Sequence, residues 1–351
     1  MRSLATQKFG KPENYEILDL PELKITRPDE ILIKVHASSI NPVDVKLATG
    51  MGKNILPCPL PFKLGYDVSG TVVAVGKDVP STLQPGTEVY SRVKEEYRGT
   101  ASEFALSTVG ATTPKPKSLT HIEAASLPLA SLTALQVLDR ADKQLVGGLK
   151  GKTVFIPAGL SGVGSTAIQL AKRVFQAGKV ITTLSTSKIA QADGLLGADA
   201  IDVAIDYTKD NYATKIEAGS LDFMFDITGQ AMGSLHLMKK GGLILTIAGA
   251  PFGEMLKVMT SLPTVVRYGL TAFGSWRQFR AGRYNVGFDY VPMHPSAEDL
   301  ARLGQWVDQG ALRTVVGRVA KLRDVDAVLE GCQEVFSGKG GVGKFVIEVE
   351  Q

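Results

Sequence analysis

The segment from Thr153 to Ala171 constrains the fold more than any other part of the chain, because it is the longest stretch without a charged residue and has a clear internal order. It begins with TVFIPA, an apolar run typical of a buried strand, and continues through the glycine-rich turn GLSGVG. Val163, Ala167 and Leu170 then recur at the spacing of a helix. This order places the free N–H groups and the positive dipole end of the helix at the turn, where glycines let a pyrophosphate approach.

The glycine spacing leaves a second interpretation open. Gly159, Gly162 and Gly164 read G-x-x-G-x-G, whereas the usual dinucleotide fingerprint reads G-x-G-x-x-G, and a purely structural tight turn would look similar. Further apolar runs follow, VITTLS, AIDVAI, LDFMFDI and GGLILTIAG, each separated by a helix-like stretch. A strand near Asn285 to Met293 and a helix from Ser296 to Gln309 are also predicted. Strands that alternate with helices in this way predict βαβ units and a parallel sheet.

Both ends of the chain predict a different kind of structure. The first hundred residues contain the strand-like runs EILIKVHASSI, LGYDVSGTVVAVG and GTEVYSRV, with glycine or proline at most junctions. The end, from Ala311 to Val349, is typical of strands around one helix. We therefore expect the β-rich ends, residues 1–124 and 296–351, to pack as one domain, with an α/β domain of residues 125–295 inserted between them.

Composition excludes several other classes. Hydrophobic residues make up 44% of the 351 residues and charged residues 21%, which is ordinary globular usage. The net charge of +4 is not concentrated in a block, so we expect neither a nucleic-acid nor a membrane partner. The first residues lack the apolar core of a targeting segment, and Cys58 and Cys332 offer no disulfide framework or four-cysteine zinc lobe. A cytoplasmic location is the resulting prediction.

Few side chains could perform chemistry unaided. The four histidines are scattered, and none has a second metal ligand at the usual spacing. No serine, threonine or cysteine lies in a motif for an activated nucleophile. The run GKGGVGK at Gly338–Lys344 matches part of a nucleotide triphosphate loop, but Phe345 stands where Ser or Thr would bind magnesium and the following residues predict a strand. A bound cofactor is therefore expected to supply the chemistry.

The end of the second α/β strand indicates which dinucleotide would bind. An NAD-binding protein usually carries an acidic residue about 20 residues after the glycine turn, for the ribose hydroxyls. The sequence there is TTLSTSK, without an acid. Ser185, Ser187 and Lys188 offer hydroxyl donors and a cation, which suit a 2′-phosphate. NADPH is therefore favoured over NADH, although a lysine that merely begins a solvated helix would give the same pattern.

Several linked motifs resemble one known family. They are INPVDVKLATG, LGYDVSGTVVAVG, GTEVY, GTASEFA, LPLASLTAL, SGVGSTAIQLAK and GVGKFVIEV. Together they look like the zinc-independent branch of the medium-chain dehydrogenase/reductase superfamily, and they are most similar to quinone oxidoreductases and NADPH-dependent alkenal/one oxidoreductases. The resemblance covers nearly the whole chain. It implies an α/β protein with a GroES-like β-rich catalytic domain from both chain ends, an inserted Rossmann domain with a doubly wound parallel sheet, and an active site in the cleft.

The zinc branch of that superfamily differs at the metal ligands. Where it has a zinc-binding cysteine this sequence has Asn41, and where it has a histidine before a glutamate this sequence has Tyr66 before Asp67. The resemblance therefore implies no catalytic metal. Alcohol oxidation is disfavoured without a Lewis acid, whereas hydride addition to a conjugated carbon needs less assistance. The implied substrates are quinones and α,β-unsaturated carbonyl compounds.

The resemblance also assigns cofactor-binding residues. The implied positions are Asn41 and Thr133 at the nicotinamide, Ser161, Gly162 and Val163 at the pyrophosphate, Ser185, Lys188 and Tyr207 around the 2′-phosphate, and Lys344 near the cleft.

Candidate catalytic residues are Asn41, Asp44, Lys46 and Tyr66. Lys46 stands where many quinone oxidoreductases have tyrosine and some alkenal/one reductases have lysine, which favours enones as substrates. By the resemblance, Lys46 is the nearest candidate to polarise the substrate carbonyl. It could instead contact the nicotinamide ribose, or it could be a solvated surface lysine with no role in the site. Asn41 and Asp44 could instead cap a turn beside the following proline, and Tyr66 and Tyr90 could form cleft walls.

These observations predict an NADPH-dependent reductase that delivers hydride to the β-carbon of an enal, enone or quinone-like acceptor. The expected partner is a small-molecule substrate, and the protein is expected to be a monomer or a homodimer. One alternative is a cofactor-binding scaffold or sensor with little turnover. Another is a partner enoyl reductase of a polyketide pathway.

Overall fold

The protein is described from a computed structural model, which covers residues 1–53, 58–253, 256, 262–339 and 341–349. Two compact units are formed, one by Met1–Leu132 with His294–Gln351 and the other by Thr133–Met293. The predicted fold class is confirmed, since the first unit is β-rich and contains both ends of the chain, and the second is built on a parallel sheet.

The predicted domain boundaries, 124/125 and 295/296, differ from the 132/133 and 293/294 junctions of the compact units. Leu129 shows why the first junction lies later in the chain. Its N–H donates to Asp67 Oδ1 at 2.8 Å, and its side chain packs against the core of the first unit. The start of the helix that contains Leu129 is therefore held by the first unit.

The strands are, in chain order, β1 (Arg2–Thr6), β2 (Glu16–Asp19), β3 (Glu30–Ile40), β4 (Phe62–Lys63), β5 (Asp67–Val75), β6 (Glu88–Arg92), β7 (Phe104–Thr108), β8 (Thr112–Pro114), β9 (Thr153–Ile156), β10 (Lys179–Leu184), β11 (Val203–Asp206), β12 (Leu221–Asp226), β13 (Met238–Thr246), β14 (Gly287–Tyr290), β15 (Val316–Lys321) and β16 (Lys344–Glu348). The α-helices are α1 (Pro42–Ala48), α2 (His121–Ala125), α3 (Pro128–Gln144), α4 (Gly162–Gln169), α5 (Thr186–Leu196), α6 (Tyr212–Lys215), α7 (Thr264–Gly282), α8 (Ala297–Asp308) and α9 (Val325–Ser337). Among the described residues, no helix is both long and apolar enough to cross a membrane.

The first unit contains a small antiparallel sheet, β2-β1-β4, and a larger sheet in the order β15-β16-β3-β5-β6-β8, with β7 also paired to β3. Strand β3 explains how the core forms, because Ile31, Ile33 and Val35 alternate onto one buried face. Strand β16 pairs with β3 in antiparallel register, with Phe345 opposite Ile40. This pairing brings a strand from the end of the chain beside one from its beginning.

The second unit contains a six-stranded sheet in the order β11-β10-β9-β12-β13-β14, in which every pair is parallel. The strand order reverses between β9 and β12. Ligands of doubly wound sheets bind at such a reversal, outside the carboxyl ends of the strands. The glycine turn follows β9 and therefore lies at this point.

The sequence predicted a helix-like stretch between successive strands of this sheet, and that prediction is wrong between β12 and β13. The connection contains two short 3₁₀ turns, Ala231–Gly233 and Leu235–Leu237. Asp226 Oδ1 accepts hydrogen bonds from the N–H groups of Gly229 and Gln230, both at 2.8 Å, and so bends the chain directly after β12. The apolar residues Ala231, Leu235 and Leu237 of this connection are buried in the core of the second unit.

Candidate functional site

The glycine turn of the second unit brings β9 and α4 very close together. Ser161 caps α4, and its Oγ accepts from the N–H of Gly164 at 3.0 Å. A Cβ on Gly164 would lie 2.2 Å from the carbonyl oxygen of Ala158, and Ala158 itself has a left-handed backbone with φ of 57°. Gly162 and Val163 form the first turn of the helix, where N–H groups have no helical acceptor. The turn thus has backbone donors that could bind a pyrophosphate, the role predicted for Ser161, Gly162 and Val163.

An open cleft of about 650 Å³ lies within the second unit, along the carboxyl ends of its strands. Its lining includes Ala158 from the glycine turn, Thr183 at the end of β10 and Tyr207 after β11, which is 57% exposed. Ser185 caps α5, and its Oγ lies 3.4 Å from Oγ of Ser187. The second unit therefore provides an open groove beside the glycine turn, with hydroxyl groups near the end of β10.

Asp206 is an acidic residue that the sequence analysis did not consider, at the end of the third strand of this sheet. Its carboxylate accepts hydrogen bonds from Thr186 Oγ1 at 2.5 Å and from Thr208 Oγ1 at 2.6 Å. These hydrogen bonds, Thr186 first, lower the pKa of Asp206 to about 2. Lys209 Nζ lies 3.6 Å from the same carboxylate. The acid is therefore engaged in organising the loop after β11.

A buried polar network in the first unit joins Asn41, Asp67 and Lys344. Lys344 Nζ donates to Asn41 Oδ1 and lies 3.4 Å from Asp67 Oδ2. Asn41 Nδ2 donates to the same Asp67 oxygen at 2.8 Å, and Ser39 Oγ does so at 2.9 Å. Burial lowers the pKa of Lys344, and the nearby carboxylates oppose that shift. The network fixes which end of the Asn41 amide carries the oxygen, because only oxygen can accept from an ammonium group.

Asp44 is fully buried in the first turn of α1, whose N-cap residue is Asn41. Its two carboxylate oxygens accept from the N–H of Asn41 at 2.7 Å and from the N–H of Gly65 at 3.0 Å. Burial, more than any other factor, raises the pKa of Asp44 to about 6. The alternative interpretation, that Asn41 and Asp44 cap a turn, therefore has direct geometric support. The two carboxylate contacts also tie the start of α1 to the segment that carries Tyr66.

The remaining predicted residues occupy different surroundings. Lys46 is exposed on α1, while Tyr66 is 1% exposed and accepts from Arg98 Nη1 at 3.3 Å. The hydroxyl of Tyr90 is buried and donates to the carbonyl of Leu300 at 2.5 Å, which gives it a structural role. Thr133 is buried on α3 in the second unit.

Two of the histidines that are scattered in the sequence meet in the structure. The rings of His36 and His121 stack with their centroids 4.4 Å apart. His121 also contacts Ser69 Oγ at 2.8 Å and Glu88 Oε1 at 3.2 Å. In the described part of the chain, no three His, Cys, Asp or Glu side chains form a group that could hold a metal ion.

Comparisons with known proteins agree with this architecture. Residues 27–114 match the model of the alcohol dehydrogenase GroES-like domain, and residues 196–345 match the model of the zinc-binding dehydrogenase. A mitochondrial NAD(P)H oxidoreductase of Mus musculus is 32% identical over 93% of this chain and 84% of its own length. A chloroplastic NADPH-dependent alkenal/one oxidoreductase of Arabidopsis thaliana is 38% identical over 66% of this chain, and the match spans 57% of that enzyme. The quinone oxidoreductase of Coxiella burnetii has a similar structure, with a TM-score of 0.81, 28% identity and coverage of 100% of this chain and 99% of that one.

The fold, the glycine turn and these matches define an oxidoreductase that binds a nicotinamide cofactor. The chain belongs to the medium-chain dehydrogenase/reductase superfamily, in the branch of quinone oxidoreductases and NADPH-dependent alkenal/one oxidoreductases. The predicted family is thereby confirmed.

Proposed function

We propose that this protein is an NADPH-dependent reductase of α,β-unsaturated carbonyl compounds or quinones, which works without a metal ion. For an enone, hydride adds to the β-carbon and a proton to the α-carbon, so that enone, NADPH and one proton give the saturated carbonyl compound and NADP⁺. The names of relatives, an alkenal/one oxidoreductase and a quinone oxidoreductase, support this substrate class.

The observation that carries the proposal is the Asn41, Asp67 and Lys344 network. By the resemblance, Asn41 and Tyr66 stand where the zinc branch of the superfamily has metal ligands. The oxygen atoms of Asn41 and of Asp67, which follows Tyr66, already face the buried ammonium group of Lys344. A second cation at these oxygens would meet the repulsion of that ammonium. The ammonium group of Lys344 is therefore the cation that these oxygen atoms contact, which fits a reductase that works without a metal ion.

The bound nicotinamide cofactor supplies the hydride. The chain's own residues would hold it: the capped start of α4 at the pyrophosphate, and Ser185, Ser187 and Lys188 at the 2′-phosphate. Lys344 keeps the Asn41 amide in one orientation, with Nδ2 toward Asp67. Among the described residues the second N–H of that amide has no acceptor, and we propose that it donates to the nicotinamide or to the substrate.

Substrate panels test the activity directly. NADPH oxidation would be followed with an enal, an enone and a quinone, and the products would be identified by mass spectrometry. We expect saturated carbonyl products or hydroquinones, and the same rates after exhaustive chelation of metals. NADPH binding without turnover of any acceptor would instead support the scaffold alternative, and loss of activity with one bound zinc per chain would contradict the metal-free part of the proposal.

A matched pair of glycine variants tests the cofactor site. The added methyl group of Gly164→Ala would lie 2.2 Å from the carbonyl oxygen of Ala158, whereas that of Gly194→Ala on α5 would meet nothing within 4 Å. NADPH affinity, measured by fluorescence titration, should fall for the first variant and stay at the parent value for the second. Equal affinities would show that the turn after β9 does not hold the cofactor.

A further inference from the structure

Two buried arginines flank Tyr66 in the first unit. Arg92 is 4% exposed and Arg98 is 8% exposed. The guanidinium carbon of Arg92 lies 4.5 Å from the centroid of the Tyr66 ring, and Arg98 Nη1 lies 3.3 Å from the Tyr66 hydroxyl. Both positive charges are therefore concentrated around one proposed catalytic side chain.

Among the described residues, Arg98 has no ion-pair partner. Arg92 forms an ion pair with Glu95 at 2.8 Å, but no carboxylate among the described residues lies within ion-pair distance of Arg98. The Nε atom of Arg98 is buried and has no hydrogen-bond partner there. Burial, followed by the charge of Arg98, lowers the pKa of Lys63, so the surroundings of Arg98 disfavour a second cation. Buried charges in proteins are normally paired, so this guanidinium is a candidate partner for an anionic ligand.

The guanidinium of Arg98 is held in one orientation. Its central carbon lies 3.9 Å from the centroid of the Phe62 ring, and Nη1 is engaged by the Tyr66 hydroxyl. Nε and Nη2 therefore form the side of the group that no described residue engages. That side forms two parallel hydrogen bonds to a carboxylate in bidentate pairs.

We propose that Arg98, with Arg92 beside it, binds a carboxylate of the substrate next to Tyr66. This inference rests on the proposed function and narrows its substrate class to α,β-unsaturated carbonyl compounds that carry a separate carboxylate. A carboxylate matches the single uncompensated guanidinium, whereas a phosphate monoester would bring about 1.5 to 2 negative charges. Arg98 selects the substrate, and the hydride transfer itself does not pass through it.

A pair of synthetic enones tests the proposal. In 6-oxohept-4-enoate, saturated carbons separate the carboxylate from the enone, and its methyl ester has the same reacting group without the charge. We expect the parent protein to prefer the acid over the ester in kcat/KM by at least about tenfold, the scale of a charge-assisted hydrogen bond. The acid-to-ester ratio should fall to about one in Arg98→Met and recover in part in Arg98→Lys. Arg2→Met, at an exposed arginine of the same unit that pairs with Glu103, should keep the parent ratio.

The outcomes separate this inference from the proposed function. If no acceptor of the enal, enone and quinone panel is reduced, the proposed function fails; if the panel is turned over but neither of these two compounds is reduced, only the carboxylate site is wrong. If the parent reduces both at equal efficiency, or if Arg98→Met keeps the preference for the acid, the carboxylate site is wrong while the reductase activity stands.

A measurement on the parent protein alone covers the case in which Arg98→Met does not fold. The saturated product 6-oxoheptanoate should raise the melting temperature of the NADP⁺ complex more than its methyl ester does. Equal shifts for the two compounds would overturn the carboxylate site without the use of any variant.

Discussion

Replacement of Lys344 by methionine should destabilise the first unit strongly. Lys344 Nζ lies 3.4 Å from Asp67 Oδ2, and the two side chains are only 7% and 0% exposed. Methionine would remove the ammonium and leave a carboxylate in the interior, with its hydrogen bonds from Ser39 and Asn41 but without this cation. Loss of one partner of a buried ion pair costs about 3–5 kcal/mol.

The size of the first unit converts this free energy into a melting shift. The unit contains about 190 residues, and for that size each kcal/mol changes Tm by about 2–4 °C. A decrease of roughly 6–20 °C is therefore expected for Lys344→Met. The double variant Lys344→Met/Asp67→Asn lacks both charges. Its Tm should be higher than that of Lys344→Met alone, because no uncompensated carboxylate is left.

Differential scanning calorimetry of the full chain without cofactor provides the assay, because cofactor binding would add its own stabilisation. Lys8→Met, at an exposed lysine of the same unit, is the matched control and should have the same Tm as the parent protein. A Tm of Lys344→Met within about 2 °C of the parent would refute the reasoning, since the buried pair would then contribute less than about 1 kcal/mol. A double variant that melts below Lys344→Met would also contradict it.

Three further predictions concern the cofactor, the substrate and pH. Lys188→Glu should weaken NADPH binding by about 1–3 kcal/mol in isothermal titration, through loss of a cation beside the 2′-phosphate, while NADH binding changes little; equal affinity of the parent for both cofactors would contradict the assignment. Lys46→Met should lower the enone rate roughly a hundredfold at unchanged NADPH affinity if Lys46 polarises the carbonyl; loss of both would indicate contact with the nicotinamide ribose, and no change in either would remove Lys46 from the site. Burial, and for His121 also the charge of His36, lowers the pKa of both stacked imidazoles, so the unfolded chain binds more protons than the folded one and Tm should decrease as pH falls below about 6.5. His121→Asn should reduce that slope in melts between pH 5 and 7.5, and an unchanged slope would rule out the histidine pair as its source.

Local patterns in the sequence were sufficient for the α/β architecture and for the strand, glycine turn and helix at the predicted cofactor site. The apolar run, glycine turn and helical repeat after Thr153 depend on neighbouring residues only, and the structure has β9, the capped turn and α4 in that order. The strand β3 was predicted at its observed bounds, Glu30–Ile40, because its alternating apolar residues form one face. The connection after β12 was predicted to be helix-like, but it contains two 3₁₀ turns. Its buried apolar residues look, in the sequence, like the buried face of a helix.

The tertiary structure alone decided which charged groups meet. Lys344 reaches Asn41 because β16 pairs with β3, and that register joins residues about three hundred positions apart. The stacking of His36 with His121 and the placement of Arg98 on Tyr66 likewise depend on strands and loops that are distant in sequence. Periodicity reports whether a side chain is buried, but the partner of a buried charge depends on how strands are ordered and aligned in the sheet. For this reason the sequence identified Asn41 and Lys344 only as separate candidates, and the folded chain shows their contact. The folded chain likewise shows that Arg98 has no ion-pair partner among the described residues.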